Sequence, residues 1–180
     1  VESESPDYKV TFLGDTVEIL SPKGLTLWRK EKMSGKVTIE YDACVVVEVE
    51  GDRLSDLNCF WMASDPQYPD NIWKREKWRS GIFLNCYSLQ LYYMGYGGNH
   101  NSTTRFRRYD GNEAAITNAK ARPAILKEYT DADHLLEANK WYHIKITNEN
   151  NRVSYYINGV RLVDFRDAAP LTEGWFGFRT

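Results

Sequence analysis

Apolar and polar residues alternate with a period of two through most of the chain, the pattern of strands that bury one face. The longest run is 36–50. Val37, Ile39, Tyr41, Ala43, Val45, Val47 and Val49 share one side, and Thr38, Glu40, Asp42, Cys44, Val46, Glu48 and Glu50 share the other. The same pattern predicts strands at 8–12, 16–20, 24–28, 57–63, 82–86, 89–96, 102–109 and 125–129. A closing meander is expected at 141–147, 153–157, 160–165 and 175–179. Gly14-Asp15 and Pro22-Lys23-Gly24 read as turns, and Asn158-Gly159 predicts a two-residue hairpin. Only 131–138 reads as helical, and 64–81 reads as a proline- and tryptophan-bearing loop. Many short strands with hardly any helix predict an all-β sandwich of two antiparallel sheets, one domain over 1–180.

Charge and composition narrow the partners. A net charge of −2 without a basic run argues against nucleic acid and against a membrane surface, and no apolar run is long enough to span a bilayer. A monomer is expected. The opening VESESPDY reads as the polar lead-in of a mature chain. Cys44, Cys59 and Cys86 sit in apolar runs without a CxxC spacing, which predicts buried free thiols, with a single disulfide as the alternative. No second ligand stands at zinc spacing, so no metal centre is expected.

The densest chemistry lies at 89–111, which holds four tyrosines, two asparagines, one histidine and three arginines. Tyrosine offers an apolar face with a hydroxyl, and arginine a planar fork of donors suited to carboxylates. Together they suit a sugar, and an acidic sugar best. A solvated hairpin face is the plainer alternative.

Two stretches carry a resemblance. Asn139-Lys140-Trp141, Tyr155 to Gly159, the Val160–Asp164 strand with the following Pro170, and Gly174-Trp175-Phe176-Gly177 resemble the C-terminal meander of concanavalin A-like jelly rolls. Leu57 to Pro66, Arg79-Ser80-Gly81 and Tyr92-Tyr93 through Gly111 resemble a family of uncharacterised jelly-roll proteins from polysaccharide-utilisation loci of glycan-degrading bacteria. That resemblance implies a concanavalin A-like jelly-roll β-sandwich, an extracytoplasmic setting and relatedness to glycoside hydrolases and polysaccharide lyases, without supplying a reaction. Jelly rolls of this kind usually add a strand beyond the position of Thr180, which implies either an open sheet edge here or a further strand beyond these residues.

Three constellations bear on chemistry. Glu40, Asp42, Glu48 and Glu50 form an in-phase carboxylate row. It departs from the E-x-D-x-x-E of laminarinase-like jelly rolls at the last acid, where Arg53 and Val45 stand, and so reads as a solvent face. The second is a lyase-type set. Tyr96 or His100 would take a proton while Arg105 and Arg107, in phase on one strand, would neutralise a uronate carboxylate. Tyr92, Asn99, Asn101 and Tyr109 would bind the sugar, although His100 also reads as an ordinary loop histidine. The third is aromatic and acidic: Trp61, Asp65, Trp73 and Trp78 would wall a subsite by ring stacking. Asp65 and Asp70 would also serve Ca²⁺; otherwise no cofactor is expected. The expectation is therefore a carbohydrate-active protein acting on an oligo- or polysaccharide outside the cytoplasm, an enzyme by β-elimination or hydrolysis, or alternatively a non-catalytic binding module.

Overall fold

A computed structural model describes all of residues 1–180. Fourteen strands are present: β1 (Glu2–Ser3), β2 (Lys9–Leu13), β3 (Thr16–Leu20), β4 (Leu25–Trp28), β5 (Met33–Ser34), β6 (Val37–Cys44), β7 (Leu57–Ser64), β8 (Gln90–Gly97), β9 (Thr103–Asp110), β10 (Lys127–Tyr129), β11 (Trp141–Glu149), β12 (Arg152–Ile157), β13 (Val160–Arg166) and β14 (Glu173–Arg179). The large sheet runs β1-β4-β14-β7-β8-β9-β10, with β5 also paired to β14. The small sheet runs β13-β12-β11-β6, and β2-β3 form a separate hairpin. All pairings are antiparallel, and the fold is a jelly-roll β-sandwich.

The two sheets close on one aromatic core. Trp61 of β7 is fully buried at its centre, with its ring centroid 5.7 Å from Tyr92, 6.0 Å from Phe106 and 6.3 Å from Tyr155. Ile144 and Ile146 of β11 and Val153 of β12 complete it from the small sheet. Truncating such a residue to alanine costs about 3–5 kcal/mol, so Trp61 is committed to packing. A second cluster lies on the other face of the large sheet. There Phe60, Tyr93, Tyr109, Trp28 and Trp175 are roofed by Ile72, Cys86, Tyr87 and Ala115.

Several expectations are corrected. Residues 82–86 are not a strand: Phe83–Ser88 forms a 3₁₀ helix that supplies this roof. The run 36–50 leaves the sheet after Cys44. Asn139 clamps Val47 through both backbone groups at 2.9 and 3.0 Å, and Asp52 accepts from the N–H groups of Glu48 and Val49, so side chains replace the ladder there. Within 131–138 only Ala132–His134 is helical, as one 3₁₀ turn. The last strand does not leave an edge open, because β14 lies between β4 and β7. The Asn158-Gly159 turn is present, with φ of 50° and 79°. All three cysteines are free. Burial pushes the Cys59 thiol up to about 12 and the Cys86 thiol up to about 11, which leaves both unreactive. No helix is long and apolar enough to cross a membrane.

Candidate functional site

The roof covers only part of the large sheet's outer face. Beyond it the register aligns polar residues in a row: Arg179 opposite Asn58, Asn58 opposite Gly95, Gly95 opposite Arg105 and Arg105 opposite Glu128. The next row holds Gly177, Phe60, Tyr93 and Arg107. Side chains of paired residues stand on one face, so strand pairing alone brings three arginines and one asparagine together. Arg53 and Asp56 close one side from the loop before β7, Asn99 and Thr103 stand at the β8–β9 turn, and Glu4 and Thr180 close the far end. The result is a groove of about 360 Å³.

Gly95 shapes its floor. The Tyr93 ring lies over it, and a Cβ at position 95 would collide with the Tyr93 hydroxyl. Burial raises the Tyr93 phenol above its ordinary range, so this hydroxyl is a neutral donor and acceptor rather than a base. Asn58 is 5% exposed; its amide nitrogen donates to Asp56 at 3.2 Å while its Oδ1 has no partner. Arg179 is 3% exposed; one Nη donates to the Gly81 carbonyl at 2.6 Å, Glu4 stands 3.7 Å from the other, and Nε has no partner. The Thr180 hydroxyl is also unpartnered. Buried polar groups are normally satisfied, so three unmet groups on residues that line one groove single it out as the candidate site. Arg105 is held by Glu128 at 2.5 Å and Arg107 by the Pro123 carbonyl at 2.8 Å, each with donor atoms to spare.

The expected site residues divide sharply. Arg105, Arg107 and Asn99 line the groove. Tyr92 and Tyr96 do not: they point into the core because their phase is opposite to that of Tyr93. Tyr92 donates to Asp167 at 2.6 Å and Tyr96 to the Leu135 carbonyl at 3.2 Å, and burial raises both phenols, which corrects their assignment as sugar ligand and base. Trp61 is corrected likewise as a core residue, and Tyr109 lies beneath the 3₁₀ roof, fully buried. Asn101 is a clamp, exchanging hydrogen bonds of 2.8 and 2.9 Å with the backbone of Leu136. His100 is exposed at φ 56° in the turn and does not reach the groove. Asp65 is buried against Arg75 at 2.7 Å and Arg79 at 3.3 Å, and Asp70 faces Lys32, so each carboxylate is paired with a cation. Trp73 packs edge-on against Trp175, and Trp78 is exposed under the Arg75 guanidinium, both outside the groove. The carboxylate row is a solvent face: Asp42 bonds His143 at 2.9 Å and Glu40 bonds Lys145 at 3.0 Å.

Arg53, Asp56, Asn58, Tyr93, Gly95 and Arg179 were not expected at the site. Arg179 carried a signal, as a cation in phase with Trp175 and Gly177 at the end of the apolar run 174–178.

Comparison with known proteins agrees with this architecture. The chain matches the model of a domain of unknown function (DUF6250) over residues 19–180, and it belongs to that family. No curated protein matches it. A Bacillus subtilis protein of unknown function with a galectin-like fold superposes with a TM-score of 0.70 at 15% identity, covering 96% of this chain and 79% of that one. The carbohydrate-binding module CBM66 from Bacillus subtilis superposes with a TM-score of 0.61 at 17% identity, covering 97% of this chain and 84% of that one. At these identities the likeness is one of fold.

Proposed function

We propose that this domain is a non-catalytic carbohydrate-binding module that holds an acidic oligo- or polysaccharide in the arginine groove, outside the cytoplasm of a glycan-degrading bacterium. The carrying observation is the row Arg179–Asn58–Gly95–Arg105, in which a buried guanidinium Nε and a buried amide oxygen both lack partners. A sugar carboxylate satisfies the first and a neighbouring hydroxyl the second. Arg107 adds a further cation, and the Tyr93 hydroxyl at the groove floor adds a neutral donor and acceptor. The fold shared with a carbohydrate-binding module supports the same reading.

Binding is favoured over turnover because neither residue expected to take a proton stands in the groove. Tyr96 lies on the core side of its strand, His100 stands outside the groove, and Tyr93 is held neutral. Of the groove carboxylates, Asp56 is engaged by Arg53 at 2.8 Å, Ser55 at 2.9 Å and Asn58. The test is calorimetric titration against uronate-containing and neutral oligosaccharides, with ultraviolet absorbance and reducing ends followed in parallel. Saturable binding of acidic ligands with neither signal is expected. New ends would make the domain an enzyme, and preference for neutral ligands would remove the arginines from recognition.

A further inference from the structure

A second hollow, of about 510 Å³, lies beside the groove and is lined by Val1, Ser3, Ser5, Pro6, Tyr8, Ser80 and Ile82. Glu4 lines both hollows and is the residue they share. Its carboxylate stands 3.7 Å from Arg179 and accepts no hydrogen bond, so it is a free acceptor at the junction. The second hollow contains no basic side chain. Tyr8 and Ile82 are 39% and 40% exposed there and offer apolar surface; the Ser3 and Ser80 hydroxyls already donate to the Ser5 and Lys77 carbonyls and keep only acceptor lone pairs, while the Ser5 hydroxyl, which accepts from the Asp7 N–H, keeps its proton. That lining suits an uncharged sugar ring, with C–H faces against Tyr8 and Ile82 and hydroxyls toward the serines. Residues 1–8 precede the region matched to the family, so this hollow is largely the work of a segment outside that match.

We propose that the hollow beside Tyr8 is a second saccharide subsite, continuous with the groove through Glu4, that takes the neutral sugar next to an acidic one. The ligand class is then a mixed chain in which a uronate is linked to a neutral hexose, rather than a polyuronate. This rests on the reading of the groove as a saccharide site. Glu4 fits the junction because one carboxylate accepts hydroxyls from both units, and it disfavours a second uronate there by like-charge repulsion.

The experiment is calorimetry with three probes: glucuronic acid, a disaccharide of glucuronate linked to a neutral hexose, and a diuronate. The mixed disaccharide is expected to bind about tenfold tighter than the monosaccharide, and the diuronate to gain nothing, from one ring stacked on an aromatic face. Tyr8→Ala should abolish that gain and leave glucuronic acid unaffected. Ile82→Ser should reduce it, and the Ile82 methyl resonances should shift with the mixed disaccharide alone. Equal affinity for monosaccharide and disaccharide, or a gain that survives Tyr8→Ala, would overturn the second subsite while leaving the groove intact. If the wild-type protein binds none of the three, the groove reading falls and the subsite with it.

Discussion

Arg79 and Arg179 are both buried on the outer side of the large sheet, yet they are compensated in opposite ways. Arg79 is fully buried and held by Glu2 at 2.7 Å and by Asp65 at 3.3 Å, with the Ile72 carbonyl closing the fork. Arg179 has one carbonyl, one distant carboxylate and an idle Nε. A buried cation that is fully paired is part of the scaffold, whereas one left short of an anion awaits one. The first ties the N-terminal strand to the loop beneath the roof. The second opens onto a groove.

The largest expected effect breaks the first site. Arg79→Ala strands Glu2 and Asp65 without their cation and should cost about 3–5 kcal/mol, read as a shifted urea midpoint with the slope unchanged. Arg179→Gln should do the reverse. It should weaken binding of an acidic oligosaccharide by about 30-fold or more while stability falls by about 1–2 kcal/mol, less than for Arg79→Ala, since the partners left are one neutral carbonyl, that of Gly81, and a carboxylate 3.7 Å away. A large loss of stability in Arg179→Gln would make the two arginines equivalent and end the distinction. Gly95→Ala comes next, because its methyl displaces Tyr93 into the groove. Affinity should fall about tenfold with only modest destabilisation. Calorimetry and thermal unfolding on the same sample separate those effects.

The smallest effect concerns pH and the core side of the same strands. Burial alone would raise the Asp167 carboxyl, but hydrogen bonds from Tyr92, the Ala169 N–H and Arg108 outweigh it and hold the group below its ordinary value. A lowered folded pKa contributes stability above the unfolded value and loses it as pH falls through the folded value. Stability should therefore decline in acid, and Asp167→Asn should flatten that part of the profile while leaving saccharide binding at neutral pH unchanged.

The fold was legible because alternation fixes which residues share a face, and the in-phase pairing of Arg105 with Arg107 was read correctly. What alternation does not fix is register between strands. The tyrosine opposite Arg107 is Tyr93, and an offset of one residue at the β8–β9 turn separates it from Tyr92 and Tyr96 in the core. That turn, with left-handed backbone at Asn99, His100 and Asn101, has no simple sequence signature. The run at 82–86 has the composition of a strand, yet tertiary packing turned it into the helical roof. Arg179 and Asn58 were missed because each acquires meaning only from neighbours distant in sequence.

Arginine-detected NMR during titration with a glucuronate-containing oligosaccharide tests the central distinction most directly, by following the Nε–H signals of Arg79 and Arg179 together. A saturable shift of the Arg179 signal, with Arg79 unmoved, is the predicted result. Saturable binding that leaves Arg179 unmoved, or that shifts both signals alike, would contradict the account.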